Sequence, residues 1–266
     1  MNLHDARVAL RPRTMSDVID LAGPFAMANR RLMVPLALLV TSVGGGLCLL
    51  CRTQLGWSWT RVWLFVAGYL VLADGLFALA AGELLFRRPE EIRILALLGR
   101  FVRRLPAFVA AKLAHVLILG VCAALFVPLP IFGARLFFVS EAVLLEAGRP
   151  LGSLGRSSRL VLFRSLPCLG LALACLCAPF GLAVAAEVVG DTVVSLVLQM
   201  GRPFGSLWSD GGSVYAVVGA LLSAPFVASA SFLGYIDMRT RKEGWDIQLR
   251  FTALAEAEAR QRRIAS

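Results

Sequence analysis

The sequence predicts an all-α fold, a polytopic bundle of six transmembrane helices in three hairpins joined by amphipathic helices on the cytoplasmic side. Three observations carry this expectation. The chain of 266 residues is 58% hydrophobic, above the about 45–50% of a soluble domain, and its mean hydropathy is +0.76. The apolar residues are gathered into blocks close to the ~20 residues that cross a bilayer. Lys and Arg fall between those blocks on alternate sides, as a membrane topology requires. The net charge of +10 would also suit nucleic acid, but the basic residues lie in short segments between apolar blocks, and no nucleic-acid partner is expected.

Residues 1–31 carry Arg7, Arg11, Arg13, Asp17 and Asp20 and no apolar core, so they read as a retained cytoplasmic and interfacial segment, not a cleaved signal. A helix is expected from Ser16, with Asp17 and Asp20 in its first turn and a bend at Pro24. The transmembrane domain, 32–236, holds spans at 32–51, 62–86, 106–127, 131–147, 166–189 and 213–236. Pro128-Leu129-Pro130 forces a reversal between the third and fourth, because proline cannot continue a helix. The fourth span is short and contains Arg135 and Glu141. Residues 237–266 form a basic tail with a short helix expected over 251–264.

Orientation follows from the flanking charges. The N-terminal segment, the two long loops and the tail hold five, six, four and seven Lys or Arg, 22 together, against Arg52, Arg61 and Arg202 on the other side. Both termini are therefore expected in the cytoplasm. The basic segments also share a pattern. Arg88-Pro89 precedes Arg103-Arg104-Leu105-Pro106, and Arg149-Pro150 precedes Arg164-Ser165-Leu166-Pro167, each at a separation of fifteen residues. A looser copy, Arg11-Pro12 and then Arg30-Arg31-Leu32, would make three units of one segment and one hairpin. Arg202-Pro203 lies outside the pattern, so chance is the competing explanation. Over 92–105, Ile94, Leu95, Leu98, Phe101, Val102 and Leu105 share a helical face, while Arg93, Arg100 and Arg104 share another. Such a helix lies in the headgroup plane with its arginines toward anionic lipid. Connecting loops whose arginines only set topology would need no such face.

Cysteine and histidine chemistry is not expected. Cys48, Cys51, Cys122, Cys168, Cys175 and Cys177 all fall in spans, where thiols behave as small apolar groups, and His4 and His115 are too few for a metal site. The ionisable residues inside the spans say more: Asp74, Glu83, Lys112, His115, Arg135, Glu141 and, at the end of span five, Glu187. Charges at membrane depth are costly and are paired or line a polar path. Asp74 and Arg135 each lie twelve residues from the cytoplasmic end of their span, ~18 Å at helical rise, and are expected to pair; Glu83 and Lys112 share the boundary level. With neither a broken helix nor an acidic relay in view, structural ion pairs are favoured over a transport or proton path.

Membrane-enzyme motifs are absent. Asp74-Gly75 with Ala78 starts like an alcohol phosphatidyltransferase motif, but Leu79 stands where Arg is needed. Glu90-Glu91 starts like an intramembrane CAAX-type protease motif, but Leu95 stands where its Arg would be. Without a nucleophile–base or metal constellation no enzyme activity and no cofactor is expected.

Three stretches carry a resemblance. Leu10-Arg11-Pro12-Arg13 is followed by Asp17 and Asp20. Leu144-Leu145-Glu146-Ala147-Gly148 is followed by Gly155-Arg156-Ser157-Ser158-Arg159-Leu160. Tyr235-Ile236-Asp237-Met238-Arg239-Thr240-Arg241-Lys242-Glu243-Gly244-Trp245-Asp246 follows the last span. These resemble a group of bacterial six-helix membrane proteins related to the membrane domain fused to some glycerophosphodiester phosphodiesterases. The resemblance implies a multi-pass protein of the bacterial inner membrane. No phosphodiesterase catalytic domain is present, so that activity is not implied. Physically, Asp237, Arg239, Arg241, Lys242, Glu243 and Asp246 would lie just under the membrane, Gly244 would end the helix, and Trp245 would sit at the interface.

Two function classes remain. One is a non-catalytic scaffold or subunit that organises anionic lipid or membrane-protein partners at the cytoplasmic face. The other is a small transporter or channel component using the charges of spans two to four.

Overall fold

A computed structural model describes residues 13–126, 128–146, 148–201 and 203–244. The apolar blocks become helices. After α1 (Met15–Ala28) come α2 (Arg30–Thr53), α3 (Trp59–Leu84) and α4 (Ile94–Leu125). Two short helices follow, α5 (Leu129–Arg135) and α6 (Val139–Glu146), then α7 (Pro150–Val161) and α8 (Ser165–Thr192). A small hairpin of β1 (Gly205–Ser206) and β2 (Gly212–Ser213) encloses α9 (Leu207–Asp210), and α10 (Val214–Leu222) and α11 (Ala224–Glu243) finish the described chain. The all-α expectation holds apart from that hairpin.

Among the described residues, five helical stretches are long and apolar enough to cross a membrane: Arg30–Thr53, Trp59–Leu84, Ile94–Leu125, Ser165–Val197 and Val214–Lys242. The expected fourth span is not one of them. Residues 131–147 do not form a continuous helix, because the chain breaks between α5 and α6 at Leu136, Phe137 and Phe138. Phe138 turns fully inward there, its ring 5.1 Å from Phe137 and 6.1 Å from Tyr235. The segment contains no proline at the break, so the local sequence signals nothing; tertiary packing of Phe138 makes it.

Two further expectations change. The 92–105 stretch is helical from Ile94 but is not a separate interfacial helix. It runs without interruption into the third span through Pro106. Its Leu97 and Phe101 are buried, while Leu95 and Val102 are exposed. The first helix starts two residues earlier than expected: Thr14, not Ser16, is its N-cap, and it forms a capping box with Asp17. The proline reversal after α4 and the helix stop at Gly244, which is left-handed at φ 57°, appear as read.

Close packing uses small residues. At Gly219 on α10, an added Cβ would collide with the Leu182 carbonyl of α8 and lie 2.5 Å from the Ala186 Cβ. The α2–α3 hairpin is tied by the Tyr69 hydroxyl donating to the Val40 carbonyl at 2.8 Å. At the end of the bundle near α9, Glu187 is buried and accepts from the Leu207 N–H at 2.8 Å and from the Ser213 hydroxyl. Trp63 Nε1 donates to the Gly211 carbonyl at 3.0 Å, so the hairpin is clamped from two helices. The opposite end is where α1 begins and α11 ends, and it carries the candidate site.

Candidate functional site

Glu146 ends α6 with its carboxylate directed at α7 and α11. Arg156 of α7 donates twice, Nε to Oε2 at 2.9 Å and Nη2 to Oε1 at 3.1 Å. This bidentate geometry is the strongest form of the arginine–carboxylate contact. The fully buried Tyr235 of α11 donates its hydroxyl to Oε1, and Arg239, one turn on, brings Nε to 3.7 Å of the same oxygen. The Arg239 guanidinium also lies 5.8 Å from the Tyr235 ring centroid. Beside Arg156, the buried Ser157 donates to the Arg135 carbonyl at 2.8 Å, closing the end of α5. Residues quoted from two distant stretches of the sequence thus form one network.

A second network joins the two ends of the described chain. Buried Asp237 accepts the Arg13 backbone N–H at 2.7 Å and Arg241 Nε at 2.8 Å. Arg241 Nη2 donates to the Arg13 carbonyl at 2.5 Å, and Lys242 donates to the Arg159 carbonyl. Aromatic packing of Phe25 on Phe232, centroids 6.2 Å apart, holds α1 against α11.

Between these networks and α3 lies a cleft of about 270 Å³. Arg100, Arg104 and Arg239 line it with Glu83 and Tyr235, above an apolar wall that includes Leu79, Leu145, Phe232 and Ile236. Glu83 accepts from Arg100, and Arg87 stands 3.3 Å from its other oxygen. Arg104 makes no ion pair among the described residues. Arg93, the other arginine expected to face lipid, is exposed at the N-cap of α4 and outside the cleft lining. Arg31 and Glu90 meet at 2.5 Å nearby, a pair that no sequence pattern announced.

The intramembrane charges do not pair as expected. Asp74 does not meet Arg135: its Oδ2 accepts from Ser140 at 3.0 Å, and no ion pair of Arg135 is found among the described residues. Arg135 Nε is buried without a hydrogen-bond partner among the described residues. The matching depths assumed a straight fourth span, and the break at 136–138 removes that register. Nor does Glu83 pair with Lys112, because the Lys112 ammonium lies over the Phe108 ring at 5.8 Å and Glu83 is taken by arginines. Asp74, Glu141 and Lys112 do interact electrostatically across α3, α4 and α6. His115 Nε2 is buried without a hydrogen-bond partner among the described residues. The sequence carries no broken-helix signature, yet the fourth segment is broken, and α6 starts at the break with Ser140 and Glu141 in its first turn.

Of the motif residues, Glu243 and Gly244 end α11, and Asp246 and the helix expected at 251–264 lie outside the described residues. Ser140 and Arg13 are among the contributors that the sequence reading did not single out for contact. Arg13 stands in a quoted motif, and its role is carried by backbone atoms, which no side-chain pattern reveals. Among the described residues no group of three or more His, Cys, Asp or Glu is placed to hold a metal, and the cysteines there are unpaired thiols. Compared with known proteins, the chain matches no family model, no curated protein and no solved structure.

Proposed function

We propose that this chain is a non-catalytic membrane protein that gathers anionic lipid, and through it membrane-protein partners, at its cytoplasmic face. The observation that carries this reading is the cleft, in which Arg100, Arg104 and Arg239 stand above Leu79, Leu145, Phe232 and Ile236. Guanidinium groups over an apolar wall suit a phosphate on a lipid, since the charges take the headgroup and the wall takes the start of a chain. Arg104 supplies a donor set that no neighbouring carboxylate uses among the described residues.

The topology belongs to the same proposal: six crossings, both termini in the cytoplasm, in the inner membrane of a bacterium. Membership of the six-helix group rests on the quoted motifs. Contact of Arg13 with Asp237 and Arg241 supports the parity, because chain ends that touch lie on one side and need an even number of crossings. The broken α5–α6 segment then serves as the sixth crossing beside the five long helices. Its irregular backbone is buried in protein, as such a crossing requires.

The test is lipid retention. Arg104→Gln, purified from membranes that contain anionic phospholipid, is expected to keep about fivefold less of it than the parent, corresponding to about 1 kcal/mol per basic residue. Unchanged retention in Arg104→Gln and in the Arg100→Gln, Arg104→Gln double variant, measured by mass spectrometry of the extract, would remove this reading.

A further inference from the structure

Glu141 is 0% exposed, and both of its carboxylate oxygens lack a hydrogen-bond partner among the described residues. It lies in the first turn of α6, directly after the break. Its surroundings come from every neighbouring element. Asp74 on α3 has Oδ1 buried and unpartnered while Oδ2 accepts from Ser140. Lys112 faces the group from α4, with His115 beside Lys112, and Cys175 faces it from α8. Ser231 of α11 lies beside Glu141 and donates to the Ala228 carbonyl at 3.2 Å. Arg156 and Arg239 are engaged one turn away by Glu146 and do not neutralise it.

The charge count is unbalanced. Two carboxylates share one ammonium, and the more deeply buried of them, Glu141, has only the Ser231 hydroxyl beside it among the described residues. A buried, unpaired charge is disfavoured against its neutral form. A carboxylic acid at Glu141 restores neutrality to the group of three and places an O–H donor on the side shared with Asp74. We propose that Asp74, Ser140, Glu141 and Ser231 form a proton-binding site within the bundle, with the exchangeable proton on Glu141. Loading transfers one proton from a hydronium ion to the Glu141 carboxylate, breaking one O–H bond of the hydronium and leaving a carboxylic acid and a water; release is the reverse.

The way in runs from the arginine-lined cleft. Leu144 and Leu145, one turn along α6 from Glu141, and Leu79 on α3 form part of the cleft wall. Leu145 packs so closely on Gly82 that a Cβ there would lie 2.5 Å from the leucine Cδ2. The acid pair is thus separated from the open cleft by about one helical turn of apolar side chain, ~6 Å at helical rise. Helices broken near their middle place ion sites in this way in membrane transporters. The proton site lies beyond the wall of the cleft proposed to take lipid, and its assignment stands whether or not lipid binds there.

Infrared spectroscopy of the full chain in an ester-free detergent tests the assignment. The expected result is a carboxylic-acid carbonyl band that declines as pH rises, shifts in ²H₂O, and is missing from Glu141→Gln. Leu145→Ala is expected to speed the isotope shift severalfold by thinning the plug. No such band at the lowest pH at which the protein stays folded would overturn the site, since Glu141 would be permanently ionised. A band that neither titrates nor exchanges would overturn it too, because the proton would be fixed. A band that survives Glu141→Gln and is lost in Asp74→Asn would move the proton to Asp74 and reject the assignment. Should Glu141→Gln fail to fold, Glu141→Asp keeps the acid, and a band whose frequency does not change would place it elsewhere.

Discussion

Glu146 is the point on which three side chains from two helices converge, so its energetics are those of a shared acceptor. Arg156, Tyr235 and Arg239 all address its two oxygens. Removing one partner leaves the others with a changed acceptor, and the losses should not add. In a double-mutant cycle of Glu146→Gln and Arg156→Gln, a coupling of about 0.5–3 kcal/mol is expected, read from thermal unfolding in detergent. Additive losses would mean that the pair does not form. Gly219 makes a different kind of point. Its missing Cβ admits the Leu182 backbone, so Gly219→Val forces α10 away from α8. A loss of about 1–3 kcal/mol is expected, with a lower midpoint in the same assay.

Two elements owe their shape to single anchors. Helix α1 is short and contains Pro24, yet Thr14 and Asp17 cap it reciprocally and Val18, Ala22 and Phe25 bury its inner face. Thr14→Ala is expected to cost about 1 kcal/mol and to show as faster hydrogen exchange over 15–18, with α11 unaffected. The α5–α6 break depends on Phe138, fully buried between Phe137 and Tyr235. Phe138→Ala is expected to destabilise by about 3–5 kcal/mol, the usual cost of an emptied aromatic site. A change below about 1 kcal/mol would show that the break is set by the backbone of 136–138 alone. Of these features the capping residues were legible in the sequence to within two positions. The break was not, because a run of apolar residues reads alike whether straight or folded back, and no Pro or Gly marks the turn.

At the scale of the molecule, the meeting of Arg13 with Asp237 and Arg241 ties the topology to one testable count. Reporter fusions after Gly244 and before Arg13 are expected to report the same compartment, and an insertion beside Trp208 the opposite one. Different compartments for the two ends would leave five crossings and make α5–α6 a re-entrant pair. The charge asymmetry expected from the sequence, 22 basic residues on the proposed cytoplasmic side and three on the other, supports the same proposal.

The sequence by itself was sufficient to determine the helical class, five of the six expected spans to within a few residues at most ends, and the stop at Gly244. These are local properties: hydropathy summed over ~20 residues, and a glycine able to turn left-handed. The motif residues Glu146, Arg156, Tyr235 and Arg239 were also legible as a set, though not as a contact. Tertiary structure alone decided who meets whom. It gave Arg100 and not Lys112 to Glu83, Ser140 and not Arg135 to Asp74, and left Glu141 without a hydrogen-bond partner among the described residues. The reason is geometric. Partner choice between helices depends on rotation and register, and a three-residue break in the fourth segment shifts both without leaving a mark on hydropathy.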